Sequence, residues 1–146
     1  MVIIRKNTDY ALRLMVNLAN HYGQEIKSSR RIAGEEEVPY YLACKLLQKL
    51  NYAGLVKSKM GPVGGFYLSK PPAKIALATI INVIQGPISL NSCLLGIEVC
   101  PNQPFCPISK KLSELQNYID NFLKNITLQD LLEFRGEMLK VNKEGN

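Results

Sequence analysis

Residues 55–71 read LVKSKMGPVGGFYLSKP, and this stretch decides the fold. Its first five residues have the pattern of a β-strand, a cluster of Gly and Pro follows at 61–65, and a second apolar run lies at 66–68. Lys57 and Lys59 occupy alternate positions of the first strand, so both are expected to point outward. The stretch therefore predicts a basic β-hairpin.

Two helical segments directly precede this hairpin. Ser28 or Ser29 is expected to cap a short helix that ends near Glu36, and a further helix follows Pro39 and ends near Tyr52. The apolar residues of the second segment recur at helical spacing and are expected to face the core: Leu42, Leu46, Leu47 and Leu50. Two helices joined by a short turn predict a helix-turn-helix, and the basic hairpin behind them makes it a winged helix. A surface hairpin without a binding role is the alternative.

A longer amphipathic helix is predicted at the start of the chain, from Thr8 to Tyr22. Thr8 is expected to be its N-cap, with Asp9 in the first turn, and Gly23 ends the helix.

The second half of the chain is organised around a loop rich in cysteine and proline. A helix is predicted from Ala73 to Gln85, then the loop from about Ser89 to Pro107, and a chain end that is disordered after Lys140. A long helix follows the loop, because apolar residues recur there at spacings of 4, 3, 4, 3 and 4: Ile108, Leu112, Leu115, Ile119, Phe122 and Ile126. Such a heptad-like seam favours pairing with a second copy of the chain, and packing onto its own domain is the alternative. Thr127 and Asp130 are expected to cap a last helix.

The expected fold class is therefore mainly α with a small β-hairpin wing. Residues 1–70 would form the winged helix-turn-helix, residues 71–107 a connecting helix and the cysteine loop, and residues 108–146 the dimerisation helix and the C-terminal helix. The 146 residues suffice for one compact domain overall.

The excess of positive charge lies entirely in the first half of the chain. The net charge is +6, and residues 1–70 hold eleven Lys and Arg against five acids, whereas residues 71–146 hold seven of each. A domain with this imbalance is a candidate for binding a polyanion, because phosphate binding releases condensed counterions. A basic surface that only maintains solubility is the alternative.

Several function classes are excluded by what the sequence contains. It has no apolar run of the ~18 residues that a membrane span needs, and its N-terminus does not resemble a secretory signal, so we expect a cytoplasmic protein. Acid–base catalysis has little basis with one histidine, His21, and without a carboxylate pair or a phosphate-binding Gly loop. An enzyme is therefore not expected.

Three of the four cysteines lie within fourteen residues, at Cys93, Cys100 and Cys106. Thiolates bind zinc and iron–sulfur clusters, and the gaps of six and five residues suit a larger inorganic core better than a single zinc ion. Zinc, a thiol redox switch and cysteines without a role remain open. Asp9 is a sharper candidate for a fourth ligand than His21, although a charge that favours the helix N-terminus would also explain it. Cys44 is expected to face outward from the recognition helix, away from this loop.

These features together resemble the Rrf family of bacterial winged-helix transcription regulators. The matching pieces are Thr8–Arg13, Ile32-Ala33, Leu50 with Gly54-Leu55-Val56, the segment Gly61–Pro71, and the three-cysteine loop before a long helix. The resemblance covers nearly the whole chain in order. It implies a homodimer that binds double-stranded DNA at an inverted-repeat operator, as a repressor or an activator. It also implies an iron–sulfur cluster whose state changes the affinity for DNA in response to nitric oxide, redox state or iron–sulfur status.

The resemblance is closest to the NsrR-like branch of this family. There an aspartate of the Thr-Asp-Tyr segment, supplied by the partner subunit, completes a [4Fe–4S] site, and the matching residue is Asp9. IscR-like members hold a [2Fe–2S] cluster with a histidine whose position is Ser109 here, so [4Fe–4S] is favoured over [2Fe–2S]. The wing position before Gly61, often arginine in the family, is Met60, so the minor-groove contact that the resemblance implies there would be lost or would move to Lys59.

The expected DNA contacts fall into two groups. Arg30, Arg31, Lys57 and Lys59 would bind phosphates, and Tyr41, Cys44, Lys45 and Gln48 would face the major groove. Ser28, Tyr40, Gly61 and Gly64 complete the expected DNA-binding set. The alternatives are a cluster-free regulator controlled by thiol oxidation or a partner protein, a zinc-stabilised module that binds nucleic acid or a protein, and a thiol-dependent enzyme.

Overall fold

The structure is a computed structural model that describes residues 2–96 and 98–145. Its elements in chain order are α1 (Lys6–Asn20), α2 (Ser29–Glu35), α3 (Tyr40–Tyr52), β1 (Val56–Lys59), β2 (Gly65–Leu68), α4 (Leu77–Gln85), α5 (Pro107–Asn125) and α6 (Leu128–Glu144). Short 3-10 turns lie at Pro72–Lys74, Ser92–Leu95 and Gln103–Phe105. The mainly helical fold with one β-hairpin is as the sequence predicts.

Helix α1 lies at the centre of the core and packs against α3, α4 and α6. Its buried face consists of Ala11, Leu14, Met15, Leu18 and Ala19. Complete burial of a side chain such as Leu14 contributes about 2 kcal/mol to the free energy of unfolding. Helices from both halves of the chain therefore stabilise each other across α1.

The prediction that Thr8 caps α1 is wrong. The helix begins at Lys6, and Thr8 is completely buried, with its hydroxyl donating to Gln85 Oε1 (2.7 Å). The same Gln85 oxygen accepts from the Arg5 backbone N–H (3.0 Å), and the Gln85 amide donates to the Ile3 carbonyl (2.9 Å). A residue at the end of α4 thus satisfies polar groups at the start of α1, a partnership that local sequence spacing does not reveal.

The turn between α2 and α3 begins with a tight helix end at Glu37. Its backbone N–H donates to the Gly34 carbonyl (3.3 Å), and the Val38 N–H donates to the Ala33 carbonyl (2.9 Å). This is a Schellman motif, which places its C′ residue in the left-handed region, and Glu37 has φ 53°. Helix α3 ends in the same way at Gly54, with φ 79°, just after the predicted helix end near Tyr52.

The hairpin has the predicted strands in an antiparallel register, with Val56 opposite Leu68 and Lys59 opposite Gly65. Its turn is closed by the Gly64 N–H, which donates to the Gly61 carbonyl (3.0 Å). A Cβ atom on Gly64 would overlap the Lys59 carbonyl oxygen, so the chain approaches itself there more closely than any other residue allows.

Two predicted boundaries in the second half are wrong. Helix α4 begins at Leu77 rather than Ala73, because the preceding backbone pairs with the α5–α6 junction: the Leu77 N–H donates to the Ile126 carbonyl (2.9 Å), and the Leu128 N–H donates to the Ile75 carbonyl (3.0 Å). Helix α6 continues to Glu144 where disorder was expected after Lys140, since its last turns contain few residues that disfavour a helix. The capping box of Thr127 and Asp130 is as predicted.

The two Schellman ends provide a matched pair of substitutions. Glu37→Gly is expected to raise the free energy of unfolding by about 0.5–1 kcal/mol, because glycine adopts positive φ without the steric cost that a Cβ imposes. Gly54→Ala is expected to lower it by about 1 kcal/mol for the same reason. Urea unfolding followed by circular dichroism measures both. If the two substitutions shift stability in the same direction, the backbone account of these turns is incorrect.

Candidate nucleic-acid interface and cysteine loop

Helix α3 and the hairpin line one groove of about 400 Å³. Helix α3 contributes Gln48, Asn51 and Tyr52, and the hairpin contributes Ser58, Lys59, Met60, Gly65 and Phe66. The groove combines one lysine with amide and hydroxyl groups that donate hydrogen bonds to anionic oxygens. The sequence analysis identified Gln48 and Lys59 but missed Asn51 and Tyr52, because only the packing of the hairpin beside α3 makes them part of this surface.

Two of the predicted DNA-binding cations stack on exposed tyrosines. The Arg30 guanidinium lies 4.3 Å from the centre of the Tyr40 ring, and the Lys45 ammonium lies 5.3 Å from the centre of the Tyr41 ring. Each contact restricts a long side chain while its charge stays exposed. The arrangement brings together residues of α2 and α3 that the sequence analysis assigned to DNA binding.

Arg31, by contrast, is engaged within the protein. Its Nη1 donates to Glu25 Oε2 (2.9 Å) and its Nε donates to Glu35 Oε1 (2.9 Å). The hydrogen bonds from Arg31, first to Glu25 and then to Glu35, raise the pKa of the guanidinium. A phosphate contact by Arg31 would compete with two carboxylates, so Arg30 is better placed for that role. Ser28 lies at the N-cap of α2, where its hydroxyl accepts from the Arg31 backbone N–H (3.2 Å).

A buried lysine joins α1, α2 and the hairpin. Lys27 is 1% exposed, and its ammonium donates to Glu35 Oε2 (2.6 Å) and to Asn17 Oδ1 (3.1 Å). Its backbone pairs with that of Phe66. The Lys27 carbonyl oxygen accepts from the Phe66 N–H (2.8 Å), and the Lys27 N–H donates to the Phe66 carbonyl (3.3 Å). From the sequence, Lys27 is only one of the eleven cations of residues 1–70, since nothing local distinguishes it from other lysines.

The Lys27 ammonium is the main cause of a lowered pKa at Glu35. The hydrogen bond from Lys27, followed by that from Asn17, lowers the pKa of Glu35 from its ordinary value of 4.5 to about 2. The ionised carboxylate is therefore the form that the folded protein stabilises.

Because the pKa of Glu35 is lowered in the folded protein, the free energy of unfolding depends on pH. The stabilisation is present above about pH 4.5 and is lost as the pH falls towards about 2, the folded-state value. We expect a loss on the order of 1–2 kcal/mol, less than the full shift implies, because the side chain is 36% exposed and water screens it. Urea unfolding between pH 5 and about pH 2 measures the loss. Glu35→Gln should flatten this dependence, whereas Glu137→Gln on the exposed surface of α6 should leave it unchanged; equal profiles for all three proteins would contradict the assignment.

One further side chain of α3 differs from its predicted placement. Cys44 is half-buried rather than outward-facing, because it lies beside Ala43 and one turn from Leu47 on the border of the buried face. Lys49 is exposed, and its ammonium donates to the Ile84 carbonyl (2.9 Å) near the end of α4. A cation at the C-terminus of α4 is favoured by the helix dipole.

The cysteine loop leads directly into α5. Cys106 is the N-cap residue of α5, Cys93 lies in the 3-10 turn Ser92–Leu95, and all three loop cysteines are half-buried free thiols. Gln116 of α5 holds the chain just before this turn: its Oε1 accepts from the Leu90 N–H (2.9 Å) and its Nε2 donates to the Ile88 carbonyl (2.7 Å). Movement of the loop would therefore act on α5 at two places.

The cysteines supply the right donor atoms for an iron–sulfur cluster but are not assembled into a metal site within one chain. Among residues 2–96 and 98–145, no three His, Cys, Asp or Glu side chains lie close enough to hold a metal ion. Asp9 is exposed at the start of α1, with its carboxylate 3.9 Å from Arg13 Nη1. His21 is bound locally, with Nδ1 3.0 Å from the Asn17 carbonyl oxygen and Nε2 3.6 Å from Glu25.

The predicted seam of α5 is partly an exposed apolar face, whereas Leu112, Ile119 and Ile126 of the same seam are half-buried. Ile108, Leu115 and Phe122, each seven residues apart, are 66%, 49% and 54% exposed. Next to it, an apolar groove of about 450 Å³ is lined by Ile3, Ile4, Ile88, Tyr118, Ile119, Phe122 and Leu123. An apolar face of this kind is typical of surfaces that contact another protein, a membrane or a ligand. No helix in the described part of the chain is long and apolar enough to cross a membrane.

The winged helix-turn-helix fold agrees with comparisons against known proteins. The family profile of Rrf2, described as an iron-dependent transcriptional regulator, matches residues 4–133. The chain belongs to the Rrf2 family. The repressor NsrR of Streptomyces coelicolor is 28% identical over 130 residues, which cover 88% of this chain and 87% of that protein.

Solved structures of Rrf2 regulators have the same fold. T. potens IscR superimposes with a TM-score of 0.76 at 26% identity, covering 94% of this chain and 90% of that one. CymR, the global cysteine regulator of B. subtilis, superimposes with a TM-score of 0.74 at 29% identity, covering 92% and 98%. These relatives are transcription regulators and not enzymes, so this Rrf2 protein is a transcription regulator.

Proposed function

We propose that this Rrf2 protein is a cytoplasmic homodimer that binds an inverted-repeat operator and whose cysteine loop controls the affinity for DNA. The observation that carries the proposal is the groove between α3 and the hairpin, where Gln48 and Lys59 face the same space. A recognition helix in the major groove and a wing beside it would contact one DNA strand from both sides. The excess of positive charge in residues 1–70 supports the same surface.

The proposed DNA contact of each side chain follows from its exposure and from its ion pairs within the protein. Arg30, Lys57 and Lys59 are exposed and would neutralise phosphates, whereas Arg31 would contribute by holding α2 in place. Tyr41, Lys45 and Gln48 are exposed on α3 and would reach base edges, with Cys44 behind them. Ser28, Tyr40, Gly61 and Gly64 would shape the backbone that approaches the DNA.

Dimerisation through α5 would connect the sensor with the operator. The exposed seam residues of α5 recur every seven positions, so the same face of a second copy could pack against them and bury them. Two recognition helices must then match half-sites about 34 Å apart. A small rotation of α5, caused by a change in the cysteine loop, which Gln116 holds at Leu90 and which joins α5 at Cys106, would alter that separation.

The proposed sensing group is an iron–sulfur cluster, more readily [4Fe–4S] than [2Fe–2S]. Cys93, Cys100 and Cys106 would hold it, with Asp9 of the partner subunit as the fourth ligand. The description of the family as iron-dependent, the three half-buried thiols and the exposed Asp9 carboxylate support this ligand set. When bound, such a cluster supplies a centre that oxidants or nitric oxide modify. The alternative is control by oxidation of the free thiols without a cluster.

DNA binding is tested by selection from a random-sequence duplex library. We expect an inverted repeat with half-sites about one helical turn apart. Lys59→Ala should weaken binding to all sequences and reduce the dependence of log K on log salt by about one unit, because one phosphate contact is lost. Gln48→Ala should instead relax the preference at one base pair by roughly tenfold. Lys140→Ala on α6 is the matched control; an unchanged salt dependence in Lys59→Ala would remove the wing from the interface.

The sensing group is tested on protein purified without oxygen. A brown protein that absorbs near ~400 nm with about four iron atoms per chain supports [4Fe–4S], and about two iron atoms support [2Fe–2S]. Cys100→Ala should lose the absorbance and the response of DNA affinity to nitric oxide, whereas Cys44→Ala should keep both. A colourless protein whose DNA affinity still changes with peroxide supports thiol control instead. Retention of iron, colour and response in Cys100→Ala would contradict the proposed mechanism.

A further inference from the structure

The tip of the wing is apolar, although the strand that leads to it is basic. Met60 and Val63 are 91% and 78% exposed, with Gly61 and Pro62 between them, and Lys57 and Lys59 precede them along β1. A single exposed apolar residue is common on protein surfaces and requires no explanation. Two of them within four residues, at the end of a hairpin whose first strand is cationic, form a small apolar tip next to Lys57 and Lys59.

This tip is held on a rigid stem. The Gly64 N–H donates to the Gly61 carbonyl (3.0 Å), and the strand pairing continues up to Lys59 opposite Gly65. The stem is fixed to the rest of the domain by the backbone pair of Phe66 with buried Lys27. An apolar side chain can separate stacked bases only when its support does not yield, and this stem meets that requirement.

The groove beside the wing determines what the tip would meet. Its lining includes Gln48, Asn51, Tyr52, Ser58 and Lys59, whose side chains can donate hydrogen bonds, and on the hairpin side also Met60, Gly65 and Phe66. One sugar–phosphate strand separates the major groove of DNA from the adjacent minor groove. With α3 in the major groove, that strand would occupy this space, and Met60 on its far side would face the minor groove.

We propose that Met60, supported by Val63, enters the minor groove of the operator as an apolar wedge that unstacks one base step and bends the duplex. The inference rests on the proposed function, since it requires α3 to bind the major groove. Lys57 and Lys59 bind phosphates beside the wedge, and these contacts offset the cost of unstacking. Selectivity for a flexible step, such as TA or CA, then arises at a position that makes no hydrogen bond to the protein.

The wedge is tested on a duplex of about 30 bp, roughly three helical turns, that contains the strongest selected inverted repeat. Donor and acceptor dyes at its ends report bending, and 2-aminopurine, placed in turn at each step flanking a half-site, reports unstacking by increased fluorescence. We expect binding of the wild-type protein to shorten the end-to-end distance and to raise the fluorescence at one step of each half-site. Met60→Ala should abolish the fluorescence rise, reduce the bend and weaken binding roughly tenfold.

Three comparisons make the result specific. Met60→Leu should retain the bend, and Met138→Ala, at a methionine on α6 that is 54% exposed, should behave like wild type. Thermal unfolding should be unchanged in Met60→Ala, because the side chain is almost entirely in water. Bending and fluorescence in Met60→Ala equal to those of wild type would overturn the wedge, as would wild-type binding without either signal. Failure of the wild-type protein to bind any selected duplex would instead reject the proposed function together with the wedge.

Discussion

The ammonium group of Lys27 is buried where α1, α2 and the hairpin meet, and the placement of the DNA-reading elements depends on its partners. An unpaired ammonium in this position would cost several kcal/mol in lost hydration. Asn17 of α1 and Glu35 of α2 satisfy it, while its own backbone pairs with Phe66 of the hairpin. One residue thus joins two helices and the hairpin. If the wing moved independently of the helix-turn-helix, the Lys27 ammonium would become exposed or would lose its hydrogen-bond partners.

The same network explains why neighbouring arginines have different roles. Arg31 extends the ion pairs from Glu35 to Glu25 and belongs to the scaffold, whereas Arg30 stacks on Tyr40 with its charge exposed. The distinction follows from the helical position of each side chain relative to the carboxylates. Basic composition alone therefore overestimates how many cations of this half are available to a polyanion.

The cysteine loop and the start of α1 illustrate a second constraint, which is that glutamine side chains hold distant segments together. Gln85 connects the end of α4 with Ile3, Arg5 and Thr8, and Gln116 connects α5 with the chain before Cys93. Each amide donates and accepts at once, so a single residue fixes both groups. These links place the first turn of α1, which includes Asp9, and the cysteine loop on elements whose positions are determined by packing rather than by local sequence.

Local physical chemistry was sufficient for much of this protein. The turn residues at 61–65, the Ser28 cap, the glycine at 54 and the capping box at Thr127 could be predicted because each depends on neighbours within a few residues. Membership of the winged-helix regulators was also predictable, since the motif order spans the chain and the family match confirms it. What only the tertiary structure decided involves partners far apart in sequence. Thr8 binds Gln85 instead of capping α1, α4 starts late because its approach pairs with Ile126 and Leu128, and Lys27 is buried. In the first two cases a long-range hydrogen bond replaced the local structure that sequence spacing favours, and for Lys27 the spacing favours no partner. A polar group that is buried by packing must find its partner wherever the fold brings one.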